Sequence, residues 1–424
     1  MPNSSPALSE SLAAASRAIG GVLSGANLNT GLEAIRSRDL RAAAQDLSFN
    51  ALRGYGVVDA ILERILERPL TDQGMRALIL AALAELLERP QSAYVVVHQA
   101  VEAAALVGQP RGKGLVNAVL RNFLRRAAQI RREIEQTETG RFRHPAWWIK
   151  RVREAYPTRW EQALKAANGH PPMTLRINVR RTDVDRYMQK LAQAQLGARF
   201  LGGTAVLLER PCRVDMLPGF VDGEISVQDK GAQAAAPLIG AEPGMLVLDA
   251  CAAPGGKAAH ILELTECELL CVDIEANRAM RIEENLSRLG LRGTVRVGDA
   301  TQPQTFWDGR PFDRILADVP CSGSGVARRH PDILWLRRES DIGRFAATQM
   351  VMLEALWPLL IPGGTLLYAT CSVFPEENGL QIRSFLDRHS EALAVPIVGI
   401  EDGQILPGDD TDGFYYALLR KNRT

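Results

Sequence analysis

The sequence predicts a multidomain protein with an all-α N-terminal domain, a small α+β middle subdomain and a doubly wound α/β C-terminal domain. Residues 1–140 repeat apolar residues at helical spacing and show no sustained strand alternation. Residues 173–220 mix the two patterns. From Gly244 onward, short apolar runs alternate with helical segments, which favours a mostly parallel sheet. We place the domains at 1–140, 141–240 and 241–424.

Composition narrows the class of protein. The chain has 424 residues, of which 46% are hydrophobic and 23% charged, as is usual for globular domains. Its 50 Lys and Arg nearly balance 49 Asp and Glu, so a nucleic-acid partner would need a local basic surface. The six cysteines form no C-x-x-C pair, which predicts free thiols, a reducing compartment and no metal site.

The chain shows no targeting or membrane signal. The N-terminus lacks a basic start followed by an apolar core, and no run reaches the ~18 apolar residues of a membrane span. We therefore expect a cytoplasmic protein without a membrane partner.

The N-terminal domain should contain five to seven helices, among them Ala77–Leu87 and Val95–Leu106. A basic region follows from Arg111 to Arg153, where twelve Lys and Arg face only Glu133, Glu135 and Glu138. A solvated helix face is one interpretation of such a charge run. Attraction to nucleic-acid phosphates is the other, and the size of the imbalance favours it.

The middle region should pair strands with one helix. We predict a strand at Met173–Asn178, a helix at Asp183–Ala194, strands near Phe200–Leu208, and a helix at Ser226–Ile239 that leads into the C-terminal domain.

The C-terminal domain should contain five strands in an α/β arrangement: Met245–Asp249, Leu269–Asp273, Thr294–Val297, Asp313–Asp318 and Gly364–Thr370. Helices are predicted between them at Glu275–Leu289 and Asp341–Leu356. The last segment, Gln404–Leu419, indicates a hairpin that would add an antiparallel edge.

The stretch Met245–Asp273 predicts a nucleoside pocket. Ligands of open α/β sheets bind outside the carboxyl ends of the strands, and Gly255 and Gly256 let the backbone approach one closely. Asp273 closes the second strand, where an acidic side chain can accept hydrogen bonds from ribose hydroxyls. The loop matches neither G-x-G-x-x-G nor a P-loop, so S-adenosylmethionine fits better than a phosphate chain. A crossover without a ligand is the alternative.

Two cysteines follow predicted strand ends, Cys321 in D-V-P-C-S-G-S-G and Cys371 in T-C-S. Parallel strands share their carboxyl edge, so both thiols should face one pocket. A thiolate that adds to carbon 6 of cytosine makes carbon 5 nucleophilic enough to take a methyl group. Asp318 could hold the base. The residues alone leave open which cysteine attacks.

Four motifs make the sequence recognisable. It resembles the RNA cytosine-5 methyltransferases in C-A-A-P-G-G-K at Cys251–Lys257, D-V-P-C-S-G-S-G at Asp318–Gly325, R-R-H-P-D at Arg328–Asp332 and A-T-C-S at Ala369–Ser372. The N-terminal part, with K-G-L-V-N-A-V-L-R at Lys113–Arg121, is similar to the RNA-binding domain of the NusB family. The resemblance implies a NusB-like first domain and a Rossmann-like methyltransferase domain.

The resemblance also implies roles for single residues. Cys371 would be the nucleophile, Cys321 would remove the proton or aid release, and Asp318 would position the base beside the cofactor. S-adenosylmethionine would be held by Cys251, Ala252, Ala253, Pro254, Gly255, Gly256, Lys257, Asp273, Asp299 and Asp318.

The resulting hypothesis is methylation of carbon 5 of a cytosine in 16S ribosomal RNA, of the cytosine-967 type, by a monomer whose partner is small-subunit ribosomal RNA. Two alternatives remain at this point: the same chemistry on transfer RNA, and a non-catalytic RNA-binding or assembly factor. Ala258 and Ala259 stand where threonines are expected, and Leu334 where lysine is expected.

Overall fold

The computed structural model describes residues 6–423, which fall into two compact units. One unit comprises residues 6–169 together with Ala327–Glu339, and the other His170–Val326 with residues 340–423. The boundaries that we placed at 140/141 and 240/241 remain predictions.

The first unit is helical in its described residues. Its longest helix shows why: apolar side chains at Val116, Leu120, Phe123, Ile130 and Ile134 recur every three to seven residues and are buried on one face. The helices are α1 Leu8–Leu23, α2 Leu28–Glu33, α3 Arg38–Arg53, α4 Tyr55–Ile65, α5 Gln73–Glu88, α6 Ala93–Leu106, α7 Lys113–Glu135, α8 Glu138–Phe142, α9 Ala146–Ala155 and α10 Trp160–Ala167. Seven of them precede residue 136, as predicted.

A segment from the C-terminal half of the chain belongs to this helical unit. Trp335, on the short helix Ile333–Leu336, donates its indole N–H to the Leu52 carbonyl at 2.7 Å, and its ring lies 4.6 Å from that of Tyr55. The amide of Leu28 donates to the Asp332 carboxylate at 3.2 Å. The R-R-H-P-D motif thus contributes to the packing of the first unit.

The second unit opens with a four-stranded antiparallel sheet in the order β2-β3-β1-β4. Its strands are β1 Thr174–Ile177, β2 Ala198–Gly202, β3 Ala205–Leu208 and β4 Ile225–Val227, and α11 is Val184–Gln193. The predicted helix Ser226–Ile239 is wrong at its start. Alternating Ile225 and Val227 pair with β1, and only then do two short helices follow, α12 Lys230–Gln233 and α13 Ala235–Ile239.

The larger sheet has the order β10-β12-β9-β8-β5-β6-β7, with β11 paired to β12. Strands β5 to β9 run parallel, as the predicted α/β class requires. The strands are β5 Leu246–Asp249, β6 Glu268–Asp273, β7 Thr294–Val297, β8 Phe312–Asp318, β9 Leu360–Thr370, β10 Ala392–Val395, β11 Gln404–Ile405 and β12 Phe414–Lys421. The helices are α14 Gly256–Leu264, α15 Ala276–Leu289, α16 Glu339–Leu356 and α17 Gly379–Leu386.

The C-terminal hairpin does not form the edge of this sheet, contrary to our prediction. Strand β12 lies antiparallel between β9 and β10, and β10 takes the edge. Tyr415 packs into the core on one face while Phe414 and Tyr416 pack into the core on the other. A strand that is apolar on both faces belongs inside a sheet.

Candidate active site

The carboxyl ends of the parallel strands surround one cavity of about 250 Å³. Seven of the twelve residues singled out from the sequence line it: Cys251, Ala253, Asp273, Asp299, Asp318, Cys321 and Cys371. The other five do not line it: Ala252, Pro254, Gly255, Gly256 and Lys257. Four of these five shape the loop beneath the cavity, and Lys257 forms an ion pair with Asp318, which lines it.

Glycine is required at the turn of this loop. Gly255 has φ of +94°, which L side chains rarely adopt, and its amide donates to the Ala252 carbonyl at 2.6 Å. A Cβ there would also lie 3.2 Å from the Cα of Ile282. The chain can therefore turn from β5 into α14 within six residues, so the amino end of α14 points toward the strand exits.

Asp273 ends β6 and ties the loops on either side of the cavity. Its carboxylate accepts hydrogen bonds from the amides of Ala253 at 3.3 Å and Glu275 at 3.2 Å. Arg278, which the sequence did not single out, lies 3.3 Å from the same carboxylate. Asp299 is also held, because it accepts from the amide and hydroxyl of Thr301.

Asp249 is a further acidic residue at this edge, one that was not among the residues singled out from the sequence. Its side chain is 1% exposed, and neither carboxylate oxygen has a well-aligned hydrogen-bond partner among the described residues. Burial, and then the charge of Asp318, raise the pKa of Asp249 to about 7. When the Asp249 carboxyl group ionises, a nearby cation would stabilise its charge.

Lys257 and Asp318 form an ion pair that spans the floor of the site. The ammonium Nζ lies 2.6 Å from Oδ2 of Asp318, and the lysine is largely buried. Burial opposes the charged ammonium, but the carboxylate outweighs it and raises the pKa of Lys257 above its usual value. Asp318 is therefore fixed at the end of β8, with its side chain still partly exposed to the cavity.

The two candidate cysteines stand together, although 50 residues separate them in the chain. Their sulfur atoms lie 3.3 Å apart. The hydrogen bond to Cys371, followed by burial, raises the pKa of Cys321 well above that of a free thiol. Cys321 consequently keeps its proton and can donate it toward the sulfur of Cys371.

The loop between β5 and α14 is braced from the small sheet by Arg176, a residue of β1 that the sequence analysis did not single out. The guanidinium is 0% exposed and forms a bidentate pair with Glu263 of α14 at 2.8 and 2.6 Å. It also donates to the carbonyl of Gly256 at 2.6 Å and to the Gln228 side chain at 2.7 Å. The sequence signal that could have indicated this is a charged residue between apolar Leu175 and Ile177 in a predicted strand.

Comparisons with known proteins agree with this arrangement. Residues 237–420 match the family model of the 16S rRNA methyltransferase RsmB/F, residues 144–215 the ferredoxin-like domain of RsmF/B-like methyltransferases, and residues 13–125 the NusB family. The ribosomal RNA small subunit methyltransferase B of Vibrio cholerae is 43% identical over 394 residues, which is 91% of each chain.

Two further relatives extend the likeness to the full length. The protein of the same name from Serratia proteamaculans is 41% identical over 95% of this chain and 97% of its own. A crystal structure of a protein designated PH0851 superposes with a TM-score of 0.80 at 25% identity and covers 99% of both chains.

This chain belongs to the 16S rRNA methyltransferase RsmB/F family. It is an rRNA methyltransferase enzyme with a NusB-like helical domain, a ferredoxin-like middle domain and a methyltransferase domain, and the predicted fold class is confirmed. Membership of a methyltransferase family sets aside the non-catalytic alternative.

Two negative findings apply to the part of the chain that the structure describes. Within residues 6–423, no group of three or more metal-ligating side chains could hold an ion, and no helix is long and apolar enough to cross a bilayer. The monomeric state and the cytoplasmic location stay predictions.

Proposed function

We propose that the protein methylates carbon 5 of one cytosine in 16S ribosomal RNA, of the cytosine-967 type, with S-adenosylmethionine as donor and Cys371 as a covalent nucleophile. One observation carries the proposal. Two thiols 3.3 Å apart share a cavity with Asp318 and the glycine-turn loop. A methyltransferase of an RNA nitrogen or ribose oxygen has no use for such a pair.

The chain's residues fit the donor. S-adenosylmethionine carries a ribose with two hydroxyls, an ammonium group and a sulfonium group. Asp273 offers acceptor oxygens at the end of β6, where ribose hydroxyls are bound in this class of sheet. The Asp249 carboxylate is buried at the end of β5 without a well-aligned hydrogen-bond partner among the described residues, and negative charge at these strand exits suits a cation. When bound, the donor supplies an electrophilic methyl group.

Attack begins with Cys371. After the thiol has released its proton to water, the Cys371 sulfur forms a bond to carbon 6 of the cytosine, and the displaced ring electrons make carbon 5 able to take the methyl group. Methyl transfer breaks the methyl–sulfur bond, whose electron pair leaves with the sulfur as a neutral thioether. Asp318, fixed by Lys257 at 2.6 Å, would accept a hydrogen bond from the exocyclic amine of the base and, once the ring nitrogen is protonated in the adduct, a second one from that nitrogen. These contacts orient the ring and stabilise charge that develops on it.

Cys321 acts in the second half of the reaction. Once Cys371 is bonded to carbon, it no longer holds the proton on Cys321 through their hydrogen bond. Cys321 then loses that proton to water and accepts the proton from carbon 5. The electron pair of the broken C–H bond restores the aromatic ring and expels Cys371 as a thiolate, so the enzyme is regenerated.

The helical unit supplies a surface for the RNA backbone. Several arginines of the basic region are neutralised by acids elsewhere, such as Arg141 by Glu161 and Arg153 by Glu138. Three on α7 are exposed and have no acidic partner among the described residues; their spacing of four and seven residues places them on one helix face. They are Arg121, Arg125 and Arg132. We assign this stripe to phosphate contacts.

The test is transfer of a tritiated methyl group from S-adenosylmethionine to 16S ribosomal RNA, followed by bisulfite sequencing of the product. The wild-type protein should give 5-methylcytosine at one position, and Cys371→Ala should give less than about one thousandth of that rate. Methylated cytosine from Cys371→Ala would refute the assignment of the nucleophile. Methylation of transfer RNA instead of ribosomal RNA would refute the substrate.

A further inference from the structure

A buried carboxylate lies directly behind the two thiols. Glu377 is 0% exposed and sits in a 3-10 turn shortly after β9. Each cysteine is followed by a serine, and both serine hydroxyls donate to the same oxygen of Glu377, Ser322 at 2.6 Å and Ser372 at 2.5 Å. The other oxygen accepts the amide of Ser322 at 2.8 Å.

The carboxylate itself is held on its remaining sides. Gln349 of α16 donates to it at 3.1 Å and also to the carbonyl of Pro320, the residue before Cys321, at 3.0 Å. The Tyr368 hydroxyl donates to the backbone carbonyl of Glu377 at 2.7 Å. Glu377 is therefore a fixed point built from two neighbouring strands and the helix that covers them.

The position of Glu377 matters because Cys321 and Cys371 lie beyond the last paired residues of β8 and β9. The last paired residues of the two strands are Asp318 and Thr370, and beyond them the Cys371 loop keeps one backbone hydrogen bond to the other loop, from the Gly325 amide to the Cys371 carbonyl at 2.8 Å. Side-chain contacts must therefore fix the rest of the two cysteine loops. Ionised carboxylates form stronger hydrogen bonds than neutral acceptors, and a buried one requires its full set of donors. Ser322 of one cysteine loop and Ser372 of the other both donate to the Glu377 carboxylate, which therefore joins the two loops.

We propose that Glu377 is a positioning residue, which fixes the two cysteine loops so that the thiols stand close enough for Cys321 to act on the adduct that Cys371 forms. The catalytic part of this inference rests on the proposed function. The geometric part concerns the thiols alone, so it can be measured without RNA.

The geometric test uses hydrogen peroxide as a probe of thiol separation. Peroxide oxidises the two thiols to a disulfide and is reduced to two molecules of water, and closure is fast only when the second sulfur is already in reach. Glu377→Ala should slow formation of the Cys321–Cys371 disulfide by about tenfold or more. Peptide mass spectrometry measures the rate. Glu377→Gln retains an acceptor oxygen, so its rate of disulfide formation should lie between the rates of Glu377→Ala and the wild type.

The catalytic test separates kcat from KM. Glu377→Ala should lower kcat on the order of 100-fold, as a displacement of about 1 Å does, and leave KM for S-adenosylmethionine within about twofold. Glu377→Gln should recover part of kcat. Phe385→Leu is the matched control, because it loosens the buried face of the next helix, α17, without touching either cysteine loop. It should lower thermal stability and keep kcat.

The outcomes discriminate among three accounts. An unchanged rate of disulfide formation in both Glu377 variants would overturn the inference. A loss of kcat that only parallels the loss of thermal stability, and that Phe385→Leu shows as well, would also overturn it. If the wild type makes no 5-methylcytosine while Glu377→Ala still slows closure, the proposed function fails and the loop positioning stands. Should Glu377→Ala not fold, Glu377→Gln and Ser372→Ala provide the same comparison, and normal closure in both would refute it.

Discussion

Arg176→Met is expected to destabilise the second unit by about 3–5 kcal/mol, since it leaves the Glu263 carboxylate buried without its cation. Both side chains are essentially inaccessible, at 0% and 1% exposed, and they meet through two short N–O contacts. Burial already raises the pKa of Glu263, against the opposing effect of Arg176. Without the guanidinium, the acid must either stay charged in an apolar site or bind a proton.

The double variant Arg176→Met, Glu263→Met separates stability from cofactor binding. Removing both charges should recover most of the lost stability, because an apolar pair replaces a buried ion pair at little cost. It should not recover affinity for S-adenosylmethionine. The Gly256 carbonyl loses its donor in either variant, and one charge-assisted hydrogen bond corresponds to about tenfold or more in the dissociation constant.

Urea unfolding and calorimetric titration with S-adenosylmethionine measure the two effects. Arg310→Met is the control, because its ion pairs with Glu268 and Asp308 are exposed and should contribute little. A loss below about 1 kcal/mol in Arg176→Met would refute the argument from burial. Normal cofactor affinity in the double variant would refute the claim that Arg176 braces the loop.

Two other predictions concern charge. Burial raises the pKa of Asp249 to about 7, so the folded state keeps a proton that the unfolded chain releases near pH 4. The free energy of unfolding should therefore fall as pH rises from about 4 to 7. Asp249→Asn should abolish that fall in urea titrations, and a fall of equal size in the variant would contradict the prediction. Replacing Arg121, Arg125 and Arg132 together by Gln should weaken RNA binding and reduce the slope of log K against log salt by about 2–3, whereas Arg310→Gln should leave that slope unchanged.

The parts of the fold that local patterns govern could be predicted. Parallel strands buried on both faces have apolar runs, so β5, β6, β8 and β9 were placed to within a few residues. Strand β7, which is mostly exposed at the edge of the sheet, was placed from the alternation of strands and helices. Strand polarity predicted that Cys321 and Cys371 face one pocket, because parallel strands share their carboxyl edge. That their strands, β8 and β9, are direct neighbours was not predicted. The roles of both residues remain proposals.

Contacts between distant parts of the chain could not be predicted. Glu377 meets Ser322 across 55 positions, and Arg176 meets Glu263 across 87, and no periodicity encodes either pairing. The insertion of β12 beside β9 also depends on the core on both faces, which a hairpin signal does not reveal. Trp335 joins the helical unit for the same reason: its partner, Leu52, is 283 residues away.

The central claim is that Cys371 attacks the cytosine and that Cys321 completes the reaction. Mass spectrometry of the covalent complex between Cys321→Ala and 16S ribosomal RNA, formed with S-adenosylmethionine, tests it most directly. A cytosine bearing the transferred methyl group and bonded to the sulfur of Cys371 is the expected species. An adduct on any other residue, or rapid turnover by Cys321→Ala without an adduct, would contradict the account.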